Sequence, residues 1–380
     1  MKAFVYSDKS LERYAGRFVW LSINTEAPET ADFLKRFPIP ALPTLLVLDT
    51  RNDVVLRYVG GANITQLRQM LDDAEQRVRS RAEQAADKLL AAADRLAADG
   101  QHADAAKAYD SAIASAPRRW KRLGRTTESL LFSLSMLPDR ERCATRALAL
   151  YPRVKGTVSS ANVAAIGLSC AVGLDKEHKQ RAKMLDTLEK ATKEVFDNKK
   201  IVLSDDDRSG LYIALIEARD ATGDEEGTIA LQAEWSSFLE GAAARAKTPD
   251  ERTVYDSHRV SAYLDLGTPE KAIPMLEQSE RDFPDDYNPP ARLAVIYNAL
   301  KDYDKALAAS DRALARVYGP RKLSVLSVRA DIYKNKGDLK AARDTIVQAI
   351  EYAKSLPDGQ RSPNRIAAFE KRLAGLQEQQ

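Results

Sequence analysis

Apolar positions along this chain follow two different periods, and the change from one to the other divides it. Up to about Val78, dense apolar runs are separated by Pro, Gly, Asn and Asp: RFVWLSIN, TLLVLD and VVLRYV. The first is too apolar for a half-exposed face and predicts a strand covered on both sides. The second and third are joined by Thr50-Arg51-Asn52-Asp53 and predict an antiparallel hairpin. Between them, PETADFLKRF predicts a helix, with Pro28 where Pro favours a helix start and Ala31, Leu34 and Phe37 on one stripe. Asn63 offers an N-cap to ITQLRQMLDDAEQRV. With the opening MKAFVYSDKSLERYAG as the tail of a helix, the order is helix, strand, helix, strand, strand, helix.

From about Ser80 to Gln380 the pattern is helical throughout. Neither Gly nor Pro occurs from Asn63 to Asp99, and good helix formers dominate. The last helix of the first module is therefore expected to run into the first helix of the second, with a break near Ser80. Within the second module, LLAAADRLAADGQHADAAKAYDSAIASAP places Gly100, Ala105, Tyr109, Ala112 and Pro117 at recurring offsets. Later copies register on Ala272, Ala306 and Ala342. Around these stand Gly267 and Pro284; Ala294, Tyr297, Tyr303 and Ala313; and Ala330, Tyr333, Gly337 and Ala349.

This spacing resembles the tetratricopeptide repeat, a helix pair of about 34 residues with small side chains where the helices cross and Pro near its end. The resemblance is clear at 85–118 and 253–357 and degenerate at 119–252. It implies an all-α right-handed superhelix whose groove takes a protein or peptide partner. Ala residues let paired helices approach, Tyr297 and Tyr333 fill the space between pairs, and each repeat buries its apolar face against the next. Gly100, Ala105, Tyr109, Ala112, Pro117, Gly267, Ala272, Ala294, Tyr297, Ala306, Ala330, Tyr333, Gly337 and Ala342 are accordingly expected to be packing residues.

Residues 1–79 resemble the second half of a thioredoxin domain. The features that carry the likeness are Phe37, Ile39 and Leu42-Pro43-Thr44 ahead of the hairpin, and Gly60-Gly61 after its second strand. The resemblance implies an α/β domain, a cis bond at Leu42-Pro43, and a backbone edge at Leu42, Pro43 and Thr44 that pairs with an extended substrate segment. It also implies an earlier central strand and a Cys-x-x-C, neither of which this sequence contains. Without that strand, RFVWLSIN and TLLVLD must pair directly or leave buried backbone groups unsatisfied. The expectation is that Met1 is an internal start within a longer gene product, of the kind that joins these two modules in bacteria. An upstream signal peptide would make that product periplasmic or exported, and its absence cytoplasmic.

Composition narrows the remaining chemistry. The 380 residues carry 58 Lys+Arg against 55 Asp+Glu, a net charge of +3 that calls for no polyanionic partner. The most apolar run, Val163 to Leu174, is shorter than the ~20 residues of a membrane crossing. Cys143 and Cys170 lie in apolar helical surroundings and are expected to be small core residues, with a mutual pairing or a reactive thiol as alternatives. His102, His178 and His258 have no metal-ligand spacing and read as surface or capping residues. The segment PRRWKRLGR, Arg118 to Arg125, combines basic residues with Trp120 but reads as a solvated loop rather than a nucleic-acid contact. LSDDDRSG, Leu203 to Gly210, reads as a helix start. No cofactor or metal is called for. Two functions follow: an interaction scaffold with an inert thioredoxin-like piece, or a thiol-disulfide oxidoreductase or thiol-dependent chaperone if a Cys-x-x-C lies upstream.

Overall fold

The structure is a computed structural model that describes residues 1, 3–79 and 85–377. The expected break near Ser80 lies outside the described residues. In chain order the elements are α1 (Ala31–Arg36), the strands β1 (Thr44–Leu48) and β2 (Val54–Val59), then α2 (Ile64–Arg79), α3 (Ala85–Ala98), α4 (His102–Ser115), α5 (Leu123–Ser135), α6 (Arg140–Val154) and α7 (Ser159–Val172). They continue as α8 (Arg181–Asp197), α9 (Asp205–Thr222), α10 (Glu225–Arg245), α11 (Pro249–Thr253), α12 (Asp256–Asp265), α13 (Ala272–Asp282) and α14 (Asn288–Ala299). The last are α15 (Tyr303–Leu314), α16 (Lys322–Lys336), α17 (Leu339–Ser355) and α18 (Pro363–Gln377).

Two compact units result. One is Met1–Arg17 with Phe37–Trp235, the other Phe18–Arg36 with Ser236–Gln380. The division falls inside α10 and at both ends of an N-terminal segment, whereas the sequence pattern alone puts a boundary at 79/80.

In the first unit β1 and β2 form the expected antiparallel hairpin, with Thr44 opposite Val59, Val47 opposite Leu56 and an irregularity after Val47. Val54, Leu56 and Tyr58 are buried, and β2 packs on α2, α3 and α5. Leu42-Pro43 is cis. Asn63 and Gln66 cap the start of α2 reciprocally, the Gln66 amide donating to Asn63 Oδ1 at 2.9 Å and the Asn63 amide to Gln66 Oε1 at 3.0 Å. From α3 to α9 each helix packs on the next, and α7 also touches α5 and α9. Leu90, Tyr109, Leu130, Ala147, Leu168, Leu188 and Leu211 belong to one continuous core. Helices α6, α7 and α8 cross so closely that a Cβ on Gly167 would lie 2.4 Å from Ala147 Cβ.

Several expectations are corrected here. RFVWLSIN is not a strand: the described residues form a sheet of β1 and β2 alone, and Val19 and Leu21 are strongly exposed. With no neighbouring strand to complete a ladder, an apolar run gains nothing from extending into one. Residues 3–16 of the opening stretch are not the tail of an α-helix but a series of turns and a 3-10 segment, Lys9–Tyr14, capped by Asp8. Its anchor is Tyr14, fully buried, whose hydroxyl donates to Asp72 at 2.7 Å on α2. The expected three strands are reduced to two among the described residues, so the thioredoxin resemblance rests on the sequence.

Cys143 and Cys170 are core residues as expected, but they are also bonded to each other. Antiparallel packing of α6 on α7 brings their Cα atoms to 6.0 Å, within the range a disulfide spans. A separation of 27 residues looks uninformative until the turn between the helices folds it back.

The second unit is built the same way. Helices α12 to α18 pack on their sequence neighbours, and in addition α12 touches α14 and α14 touches α16. Alternate helices therefore form a row, as when helix pairs stack. Among the described residues no helix is long and apolar enough to cross a membrane.

Candidate protein-interaction site

The row α12–α14–α16 is held from within by small residues. Ala294 on α14 and Ala330 on α16 are buried, as are Ala272, Ala306 and Ala342 on the partner helices α13, α15 and α17. Gly267 and Gly337 end α12 and α16 with positive φ, the conformation that closes a helix at least cost in glycine. Tyr297 and Tyr333 are half-buried beside these contacts. Polar groups remain along the row: Asn335 Nδ2 donates to Asn298 Oδ1 at 3.1 Å, and the Arg329 guanidinium lies over the Tyr333 ring. In the first unit Gly100 turns α3 into α4, while Ala105, Tyr109 and Ala112 are buried on α4 and Pro117 is exposed beyond it.

Leu42 and Pro43 are exposed before β1. The Pro43 carbonyl accepts the Gly60 amide at 2.9 Å, and Thr44 Oγ1 donates to the Ala41 carbonyl at 2.7 Å.

A further feature, in the second unit, was not legible in the sequence. The N-terminal segment lies along the turns that link α15 to α16 and α17 to α18. Gln360 Nε2 donates to the Ala27 carbonyl at 2.8 Å and the Thr25 carbonyl at 3.1 Å. The Arg321 amide, at the start of α16, donates to Glu26 Oε2 at 2.8 Å, and the Arg321 guanidinium sits 3.4 Å from Glu26 Oε1. A carboxylate in that place meets both a cation and the positive end of a helix. Asn24 Nδ2 donates to the Tyr318 hydroxyl at 2.6 Å, and Lys35 Nζ lies 3.4 Å from Asp358. The approach is backbone to backbone: a Cβ on Gly319 would lie 2.1 Å from the Glu26 carbonyl oxygen, and one on Gly359 1.9 Å from that of Ala31. The dipeptides Gly319-Pro320 and Asp358-Gly359 announce turns in the sequence, yet nothing there says what the turns touch.

The basic segment in the first unit is not a solvated loop, which corrects that reading for three of its residues. Trp120 is buried and donates Nε1 to Asp87 Oδ1 at 2.9 Å. Arg122 pairs with Asp87 at 2.7 Å and Asp73 at 2.9 Å. Arg125 reaches the fully buried Asp94 at 3.1 Å, which also accepts the Tyr109 hydroxyl at 2.9 Å. Burial opposes the Arg125 charge, but Asp94, Tyr109 and Asp73 together outweigh it and the guanidinium pKa is raised. Arg118, Arg119 and Lys121 stay exposed, the last two lining a cleft of about 940 Å³ with Arg68, Asp72 and Gln76. Asp73 and Asp87, which also line this cleft, both pair with Arg122.

Glu128, on α5, is buried where its carboxylate accepts the Tyr58 hydroxyl at 2.5 Å and Asn162 Nδ2 at 3.1 Å. Burial raises its pKa above the ordinary 4.5, against the lowering effect of these hydrogen bonds. The folded state thus holds this proton more tightly than the unfolded one, so stability falls as pH rises from about 4.5 through the folded value. The expected outcome for Glu128→Gln is a higher melting temperature than the parent at pH 8, with the gap closing toward pH 4.5. Melting curves across that range check it; a gap that is constant with pH would contradict the assignment.

Of the remaining candidates, His178 accepts the Gln180 amide and lies 3.4 Å from Glu141. His102 opens α4 against the Phe132 ring. The acidic run is a helix start: Ser204 and Asp207 form a capping box at α9. Among the described residues no cluster of His, Cys, Asp or Glu could hold a metal ion.

Residues 323–355, the α16–α17 pair, match the tetratricopeptide repeat family. No curated protein is significantly similar to the chain. Among solved structures the chain is similar to BtubC from P. vanneervenii, at 16% identity over 59% of this chain and 92% of that one, with a TM-score of 0.38. It is also similar to the APC/C hetero-tetramer Cut9-Hcn1, at 16% identity over 82% of this chain and 54% of that one, TM-score 0.38. A thermophilic TPR protein of Thermus thermophilus shares 16% identity over 77% of this chain and 99% of its own, TM-score 0.26. The chain thus carries a tetratricopeptide repeat, a module that works by binding other proteins.

Proposed function

We propose that this protein is a protein-interaction scaffold whose partner contacts the polar side of the row α12–α14–α16. The observation that carries this is the stacking of alternate helices around a matched repeat, because stacked pairs bury their apolar faces on one another and leave one side of the row for a ligand. On this reading the helices at 85–118 and 253–357 are tetratricopeptide pairs, those at 119–252 are degenerate ones, and residues 1–79 are a thioredoxin-like piece without redox activity. The alanines, glycines and tyrosines named above then set helix spacing, and Leu42, Pro43 and Thr44 are a peptide-pairing edge. Thiol exchange needs an accessible thiolate. Cys143 and Cys170 are buried and bonded to each other, so neither supplies one, and the oxidoreductase alternative would need a Cys-x-x-C that this sequence does not contain.

A photo-crosslinking residue placed in turn at Asn298, Asn335 and Gln348 tests this. Asn298 and Asn335 lie on the row, whereas Gln348 is exposed on α17. The expected result is protein adducts from the first two positions and none from the third. Equal labelling at all three, or none at any, would overturn the reading.

A further inference from the structure

We propose that the edge formed by Gly319, Arg321, Gly359 and Gln360 is a binding site for an acidic, turn-forming segment of a partner protein. In the free protein it is filled by the chain's own Asn24–Ala31. This rests on the protein-binding reading but assigns a different surface from the α12–α14–α16 row.

Three features make the edge a receptor rather than ordinary packing. The first is backbone recognition. The Gln360 amide donates to two carbonyls, and two glycines let the segment approach to distances no side chain would allow. The second is a charge requirement, since Glu26 meets both the Arg321 guanidinium and the amide at the start of α16. The third is incompleteness: Gln360 is more than nine-tenths buried, yet its Oε1 has no hydrogen-bond partner among the described residues. The resident segment satisfies the donor half of that amide and leaves the acceptor half empty.

A buried acceptor without a donor is costly, so the resident segment is a submaximal ligand. A partner chain that offers a carboxylate, two carbonyls and one additional N–H facing Gln360 Oε1 gains the interaction that the segment lacks. That single hydrogen bond is worth roughly a tenfold preference. Such a partner displaces Asn24–Ala31 and takes its place.

The test uses the full chain and, as probe, a fluorescein-labelled peptide with the sequence of residues 22–36. Glu26→Arg sets two cations against each other and releases the segment while leaving the receptor edge intact. The expected result is binding of the probe at least about tenfold tighter to Glu26→Arg than to the parent, whose site is occupied. Adding Gln360→Ala to Glu26→Arg should weaken the probe at least about tenfold. Tryptic cleavage after Lys35, followed by mass spectrometry, should be severalfold faster in Glu26→Arg than in the parent. Equal probe binding to parent and Glu26→Arg, indifference to Gln360→Ala, or an unchanged cleavage rate would each overturn the proposal. Crosslinking along α12–α14–α16 reads a different surface, so its failure and the failure of this edge are separately visible.

Discussion

Asp94→Ala is expected to lower the unfolding midpoint of the first unit by roughly 10 °C, the effect of losing about 3–5 kcal/mol from a buried ion pair. Asp94 is fully buried on α3. It accepts the Tyr109 hydroxyl from α4, pairs with Arg125 from α5, and lies 3.6 Å from the Arg77 guanidinium on α2. Arg57, on β2, is buried nearby; burial lowers its pKa and Asp94 pulls the other way. One carboxylate thus balances cations from the hairpin and from two helices. Removing it leaves them desolvated and uncompensated, which is why breaking such a pair costs more than the pair itself contributes. Asp94→Asn keeps an acceptor for Tyr109 and loses only the charge, so it should fall between parent and alanine variant. Calorimetry or helical circular dichroism during heating gives the answer. A midpoint within about 2 °C of the parent for Asp94→Ala would show that the cations find other partners.

Reduction of the Cys143–Cys170 bond is expected to be nearly as costly. The bond closes a loop of 27 residues between α6 and α7. On the chain-entropy account, a loop of that length destabilises the unfolded state by about 3.5 kcal/mol, which corresponds to roughly 10 °C in this size range. Protein purified without reductant should be two hydrogens lighter than the sum of its residues. It should resist alkylation until unfolded in the presence of a reductant, because both sulfurs are buried. The Cys143→Ala, Cys170→Ala double variant should melt at the temperature of the reduced protein. If the native protein instead carries two alkylatable thiols, the pair is two core cysteines, and the melting temperature will not respond to reductant.

Local rules were legible wherever the cause was local. The hairpin, the Asn63 cap, the helix start within Leu203 to Gly210 and the Ala31–Leu34 stripe each depend on residues within a few positions of one another, and each is present. The repeat at 323–355 was legible because periodicity is itself a local pattern repeated. The failures share a different origin. RFVWLSIN has strand composition, but a strand exists only where another strand supplies its hydrogen bonds. PRRWKRLGR has the composition of a solvated basic loop; Asp73, Asp87 and Asp94, far back in the chain, turn half of it inward. The candidate edge at Gly319 and Gln360 was missed for the same reason, since its occupant lies 335 residues away from Gln360 at its farthest contact.

By itself, then, the sequence determined the succession of helices and the hairpin, their caps, and the small residues that let the helices pair, because these follow from side-chain shape and hydrogen bonding over one or two turns. Only the tertiary structure decided that the two cysteines meet, that buried aspartates claim part of the basic segment, and that residues 24–31 lie along the turns between the last helices. Each of those outcomes pairs groups distant in sequence, where the gain from burial and charge compensation depends on which surfaces the folded helices bring together.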